Sequence, residues 1–472
     1  MMGLLQRAWL WLDDRSQLSR TVWPVLTHLV PKDAGWWYVF GSATLCAFLA
    51  QVASGVALAL SYLPAADQAY ASLQFISDTA AFGGFLRGMH YWGAGTMMFL
   101  AGLHMIRVFL FGAFKFPREL TWMSGVFLLG LVAGMAFTGQ LLRWDQTAVW
   151  SVVLAAESAG RVPLVGESIA RLILGGDTVG GATLSRFYAI HVFVLPGLIF
   201  SLIGAHLYLV LRNGISEPPR KGKLVDPKTY RAEYEAEMKR SGVPFFPDAA
   251  WRDTVFALGV VLCIAGAAFF VGPPELGPPP DPSLIVANPR PDWYFLWAFA
   301  VMALMPPGLE NVAIFVGPIV IGVVLLGLPL VFGSGERHPP ARRPWSVAAV
   351  LIILVSVASF WAAGKRSDWS PDFNAKPLDA AVVGARSGPI SEGATLFHDK
   401  ACLNCHNIAG QGGRRGPDLT YVGDRLTKEE MILRIMNGGH NMPAFASTLG
   451  PEDLEKIVAF LQSRTAKQKS PD

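Results

Sequence analysis

Charged side chains are scarce in this sequence: Asp, Glu, Lys and Arg make up 16% of it, against about 25% in soluble globular domains. With 52% hydrophobic residues and a mean hydropathy of +0.38, that shortfall excludes an ordinary water-facing surface and leaves apolar faces for lipid. The formal net charge is only +4, which makes no case for nucleic-acid binding. Cysteine is scarcer still, four in 472 residues, so no disulfide framework can be read. Cys46 and Cys263 stand alone in apolar runs and read as packing residues. No cleavable signal peptide, internal repeat or low-complexity tract is evident.

Long apolar runs are abundant. A membrane span needs roughly 20 such residues, and seven runs qualify, at about 36–60, 88–111, 122–141, 185–211, 253–272, 311–333 and 345–363. An eighth, 293–306, lies between Asp292 and Pro306-Pro307. It is too short to span and reads as a re-entrant or interfacial segment. Residues 1–30 mix Leu and Trp with Arg and Asp, as an interfacial helix does. Loops 1–35, 112–120, 212–240 and 334–344 hold 17 Lys and Arg, whereas 61–87, 141–184 and 272–292 hold 5. Positive charge stays inside, so the N-terminus is expected in the cytoplasm. Seven spans then put the C-terminus outside.

The expectation is an all-α fold in five pieces. A four-helix bundle occupies 1–215, a charged, Pro-bounded linker 216–249, and a three-helix membrane domain 250–364. A polar tether over 365–390 leads to a small helical domain over 391–472. Helix signals there include the capping box Thr427-Lys-Glu-Glu430 and the start at Pro451.

Ionisable residues inside spans are costly and usually functional. The second span carries His90 and His104, fourteen apart, and the fourth His191 and His206, fifteen apart. On an ideal helix each pair falls within about 60° of one face and about 21–23 Å apart along the axis. Both helices run in the same direction, so His90 faces His191 at the outer level and His104 faces His206 at the inner one. Two such pairs suit two stacked haems with bis-His ligation; four unrelated buried histidines are the alternative. Gly41 and Gly55 in the first span, and Gly125 and Gly139 in the third, repeat the spacing of fourteen. Glycine there would admit a flat macrocycle, or serve as small-residue helix packing.

Cys402-Leu-Asn-Cys405-His406 is a c-type haem attachment pattern, with two thioether cysteines and an axial histidine in one turn. A zinc site would need further clustered ligands. Met442, in Asn441-Met442-Pro443, is the candidate sixth ligand, with Met436 and His440 as competitors. A His/Met pair raises the potential, which suits an electron acceptor.

These residues resemble the cytochrome b subunit of quinol–cytochrome c oxidoreductases, the cytochrome bc family, over about residues 20–363. Further motifs carry the resemblance: Arg87-Gly-Met-His90, Phe116-Pro-Arg-Glu119-Leu-Thr-Trp122, Arg186-Phe-Tyr-Ala-Ile-His191 and Pro291-Asp292-Trp293-Tyr294. The 14/15 spacing is similar to the photosynthetic and related bacterial branch. Gly416-Pro417-Asp418-Leu419, Gly393 and Phe397 look like class I cytochromes c. The chain departs from the family in three places. Val39 stands where the photosynthetic branch has a cysteine for an extra haem, Asp292 where the quinol-site signature usually has Glu, and Gln140 where an aromatic residue often follows the glycine.

The resemblance implies two haem b groups and one covalent haem c, a quinone/quinol substrate, and a place in a bacterial inner membrane. It also implies a separate Rieske iron–sulfur protein, a downstream cytochrome c or other electron acceptor, and a homodimer. Asp292 and Tyr294 would form the quinol site, and Arg87 would contact a haem propionate. Arg212 is a candidate contact for an anionic quinone oxygen inside, or a positive-inside anchor. The alternative function is a membrane anchor and electron wire for a dehydrogenase.

Overall fold

The structure is a computed structural model that describes residues 3–176, 179–280, 290–305, 307–339, 343–366, 375–413, 416–438, 442, 444–446 and 448–466. The chain is all-α, and among the described residues seven helices are long and apolar enough to cross a membrane. They are Phe40–Ala59, Gly83–Leu110, Glu119–Leu141, Gly181–Asn213, Phe245–Phe270, Leu309–Phe332 and Pro344–Arg366, called here the first to seventh spans. Their outer faces are apolar and uncovered: Leu351, Ile352, Ile353, Leu354 and Val355 of the seventh span are all exposed. A water-soluble fold would bury such a run, so lipid is its solvent. The second span starts at Gly83, earlier than hydropathy suggests, because its first turn is amphipathic and follows Phe82 in a left-handed conformation (φ 60°).

Small residues decide how the first four spans meet. Ala43 and Ala47 are fully buried where the first span, with its own Phe48, touches Met97, Leu100, Val132 and Ile199, since short side chains let helices approach. The short helix Trp293–Leu304 is held between the second and seventh spans. A Cβ on Gly95 would stand 3.3 Å from Trp293 Nε1, and one on Gly364 would stand 3.0 Å from Leu296.

The fourth span departs from the ideal helix. Residues Ile190–Val194 form a π-helical turn, immediately before Pro196, which cannot donate to the helix ladder and crowds the carbonyl four residues back. A π-turn takes up one extra residue. Fifteen residues between His191 and His206 therefore reach about as far around the helix as fourteen do between His90 and His104. Ideal-helix arithmetic alone left the two pairs on different angles.

One face of the bundle is strongly basic and is tied together by residues 213–244. Strand Leu29–Pro31 pairs antiparallel with Gly242–Pro244, and Leu224–Val225 with Gly335–Glu336, and the helix Tyr230–Ser241 lies between. Glu217 is the node. Its carboxylate pairs with Arg337 at 3.1 Å and Lys223 at 3.2 Å, and it accepts from Tyr230 Oη at 2.7 Å. Arg118 donates to that same hydroxyl at 2.9 Å and to the Gly214 carbonyl at 2.8 Å. Burial alone would raise the Glu217 carboxyl, but Arg337, the Tyr230 hydroxyl and Lys223 outweigh it and hold it at about 2. The stretch expected as a plain linker is thus a folded clamp between spans.

The C-terminal domain packs Pro389–Asp399, Lys428–Asn437 and Pro451–Gln462 around Phe397, Leu403, Ile408, Ile457 and Phe460. A Cβ on Gly393 would lie 2.0 Å from the Lys456 carbonyl oxygen, so glycine alone permits that helix crossing. Leu378 and Val383 belong to the same core, and Arg464 holds the Val383 carbonyl at 2.9 Å. The packed domain therefore takes in residues that the sequence places in a tether.

Candidate functional site

The four membrane histidines stand at two levels, each ring facing a glycine of a neighbouring span. A Cβ on Gly55 would meet His90 Cε1 at 3.1 Å, and one on Gly139 would meet His191 Cε1 at 2.6 Å. At the basic-face level, Gly41 lies against His104 (3.0 Å) and Gly125 against His206 (3.5 Å). The His90 and His191 ring centres are 6.2 Å apart. A metal bound by both at about 2 Å, the usual metal–imidazole nitrogen distance, with each nitrogen about 1 Å from its ring centre, requires about 6 Å. The pair fits bis-imidazole ligation of one ion. Among the described residues no group of three or more His, Cys, Asp or Glu is arranged to hold a bare ion. Paired imidazoles instead suit a metal whose remaining ligands come from a macrocycle.

Three hydroxyls that sequence reasoning missed orient these rings. Ser54 Oγ lies 3.1 Å from His90 Nδ1, Thr138 Oγ1 lies 3.0 Å from His191 Nδ1, and Ser124 Oγ lies 2.8 Å from His206 Nδ1. Each hydroxyl also donates to a backbone carbonyl of its own helix, so its oxygen is left to accept from Nδ1–H. That assigns the tautomer whose Nε2 lone pair is free for a metal. The signal was present in the sequence: each hydroxyl residue directly precedes one of the glycines, at 54–55, 124–125 and 138–139. Gly41 follows Phe40 instead, and no hydroxyl bond to His104 is found among the described residues.

Two arginines differ sharply. Arg87 is buried, with Nη1 donating to Ser77 at 3.0 Å and Nη2 to the Pro274 carbonyl at 2.8 Å. Arg107, three residues from His104, is 8% exposed. Its Cζ lies 3.6 Å from the Tyr38 ring centre, and Nε and Nη2 have no hydrogen-bond partner among the described residues. A buried guanidinium with free donors is costly, so Arg107 is suited to an anionic group beside the His104/His206 pair. Arg212 is exposed at the end of the fourth span.

Asp292 occupies the N-cap position of Trp293–Leu304, yet its side chain makes no capping bond. Its Oδ2 accepts instead from Tyr294 Oη at 3.0 Å. Burial, and then the Asp292 carboxylate, push the Tyr294 hydroxyl up.

In the C-terminal domain, Cys402–Asn404 forms a 3-10 turn, and His406 N donates to the Cys402 carbonyl at 3.0 Å. His406 is 9% exposed, and its Nδ1 donates to the Pro417 carbonyl at 2.9 Å, which again leaves Nε2 free. Burial pushes the imidazole down. Burial and the neighbouring Cys405 push the Cys402 thiol up to about 12. Met436 and Met442 both pack on this core, while His440 lies outside the described residues.

The paired imidazoles lie within a bundle of membrane-spanning helices, which makes this a multi-pass membrane protein. Comparison with known proteins gives its family. The family model described as Cytochrome b/b6/petB matches residues 25–214, and that described as Cytochrome b(C-terminal)/b6/petD matches 279–374. Residues 388–461 match the family Cytochrome C oxidase, cbb3-type, subunit III. Cytochrome b6 of Heliobacterium mobile is 41% identical over 210 residues, 44% of this chain and 99% of that protein. Cytochrome b6 of Mastigocladus laminosus is 39% identical over 208 residues, 44% of this chain and 97% of its own length. A solved structure of a hyperthermophilic respiratory Complex III superposes with a TM-score of 0.63 at 26% identity, covering 83% of this chain and 95% of that one. The chain belongs to the cytochrome b family, and that membership supports an oxidoreductase role in quinol–cytochrome electron transfer.

Proposed function

We propose that the chain is the core of a proton-motive quinol oxidoreductase, with its basic face in the cytoplasm of a bacterial inner membrane and its C-terminal domain outside. The observation that carries this reading is the paired imidazoles at two depths, three with Nδ1 anchored and Nε2 free, beside an aspartate released from capping duty. His90 and His191 would hold the outer haem b, His104 and His206 the inner one, and Gly41, Gly55, Gly125 and Gly139 would leave room for them. Cys402 and Cys405 would attach a haem c, with His406 and Met442 as its axial ligands. Bound there, the b haems would carry electrons across the membrane and the c haem would pass them to a downstream acceptor. Arg107 would neutralise an inner propionate, Arg87 would steady the outer level, and Arg212 would face quinone at the inner surface.

Quinol would bind at the outer end of the second span, where Asp292 accepts its proton with Tyr294 as hydrogen-bond partner. Half of the electrons need a separate one-electron acceptor, a Rieske-type iron–sulfur protein. That protein, a second copy of this chain and a downstream cytochrome are the partners in this reading. The test is to purify the complex and measure quinol oxidation by wild type and Asp292→Asn. The variant keeps shape but cannot take the proton, so turnover should fall at least about tenfold with haem content intact. Normal turnover would move the proton exit elsewhere. A complex holding a dehydrogenase and no Rieske protein would instead favour the electron-wire reading.

A further inference from the structure

Arg143 stands two residues past the end of the third span, Glu119–Leu141. Its side chain is 22% exposed, and the nearest acidic oxygen is Asp145 Oδ2, 3.7 Å from Nε. That is too long for a hydrogen bond, and both Asp145 oxygens are committed elsewhere. Oδ1 accepts from Ala148 N at 2.8 Å, and Oδ2 from Gly277 N at 3.2 Å. Nε is buried and has no hydrogen-bond partner among the described residues. Burying that N–H without an acceptor is costly.

The surroundings place this cation at the outer histidine level. Trp293 lies against Gly95, one turn beyond Tyr91 on the second span. That contact sets Asp292 and Tyr294 against the span that carries His90, while Arg143 follows by one turn Gly139, which abuts the His191 ring, and the His90 and His191 ring centres are 6.2 Å apart. Three elements thus converge: the turn after the third span brings a cation, the short helix a carboxylate and a phenol, and the second span a tyrosine.

We propose that Arg143 is the cation of the quinol pocket, holding the negative charge that forms on a quinol oxygen when its proton passes to Asp292. The proposal rests on the quinol-oxidation reading above. In the step concerned the quinol O–H bond breaks, an O–H bond forms on the Asp292 carboxylate, and no electron moves. The charge moves from the carboxylate to the quinol oxygen, beside a guanidinium already placed for it. The two electrons then leave singly, to the outer b haem and to the iron–sulfur partner.

The test uses the intact complex with decylubiquinol and, separately, a dimethylnaphthoquinol as probes, comparing wild type, Arg143→Gln and Arg143→Lys. The charge forms after binding, so Arg143→Gln should lower kcat at least about tenfold, a floor below the usual loss for one oxyanion donor, with little change in KM. Dithionite-reduced b-haem spectra should be unchanged, and Arg143→Lys should recover most of the turnover. Unchanged kcat in Arg143→Gln, or a loss confined to KM, overturns the proposal. So does a loss accompanied by altered b-haem spectra and not rescued by lysine, which would make Arg143 a structural partner of Asp145. A wild-type complex with reducible haems that oxidises neither quinol overturns the underlying reading itself.

Discussion

Gly139→Ala should cost the protein its outer b haem, while Gly125→Ala should cost it nothing comparable. The added Cβ at 139 would stand 2.6 Å from His191 Cε1, 3.2 Å from Nε2 and 3.3 Å from Nδ1. Carbon atoms rest at about 3.5–4.0 Å, so the ring must retreat by about 1 Å. Retreat strains the bond that Thr138 Oγ1 makes to Nδ1 at 3.0 Å, because that hydroxyl sits on the same turn as the new methyl group. Overpacking costs about 1–3 kcal/mol and a compromised hydrogen bond about 1 kcal/mol. Together they come to about 2–4 kcal/mol, or a roughly 30- to 700-fold weaker hold on whatever His191 ligates. At Gly125 the same methyl group would lie 3.5 Å from His206 Cε1, an ordinary contact. Both variants should be extracted from membranes and their b haem per chain measured by pyridine haemochrome and redox difference spectra. Two unperturbed b haems in Gly139→Ala, or equal losses in both variants, would refute the reasoning.

Three further outcomes are expected. His104→Ala should remove the inner b haem and spare the outer one, because His90 and His191 form a pair of their own; redox titration resolving the two b haems checks it, and loss of the outer haem would overturn the pairing. Met442→Ala should lower the haem c potential and abolish any long-wavelength sulfur-to-iron charge-transfer band, whereas an unchanged spectrum hands the ligand role to Met436 or His440. Glu217→Gln should destabilise the basic-face clamp by about 3–5 kcal/mol, the cost of breaking a buried ion pair. Its native carboxyl is held at about 2, against an ordinary 4.5. The wild-type contribution is therefore full above about pH 4.5 and is lost as pH falls toward 2. Thermal unfolding of the detergent-solubilised protein should lose that acid dependence in the variant, and an identical melting profile from pH 7 to 3 would count against it.

The sequence by itself determined what depends on runs and spacings along the chain. Seven apolar stretches require seven helices, since a backbone in lipid must satisfy its own hydrogen bonds. His90, His104, His191 and His206 are costly there, so their matched spacing marks a candidate site. Cys402, Cys405 and His406 lie within one turn and need no long-range contact to stand out as a candidate site. Tertiary structure alone decided the rest, because each remaining feature joins residues far apart in sequence or departs from ideal geometry. The π-turn at Ile190–Val194 reconciles a spacing of fifteen with one of fourteen, and it arises from the strain of Pro196 rather than from any periodicity. Ser54, Ser124 and Thr138 became ring anchors only once neighbouring spans brought His90, His206 and His191 to them. Glu217 looked like one charge in a polar linker until folding placed Arg337, 120 residues on, against it. Asp292 sits at the start of a helix, where a cap belongs, and only the tertiary structure turned its side chain to Tyr294 instead. Arg107 and Arg143 are ordinary basic residues in one dimension; a buried guanidinium N–H with no hydrogen-bond partner among the described residues, which only packing can impose, is what singles them out.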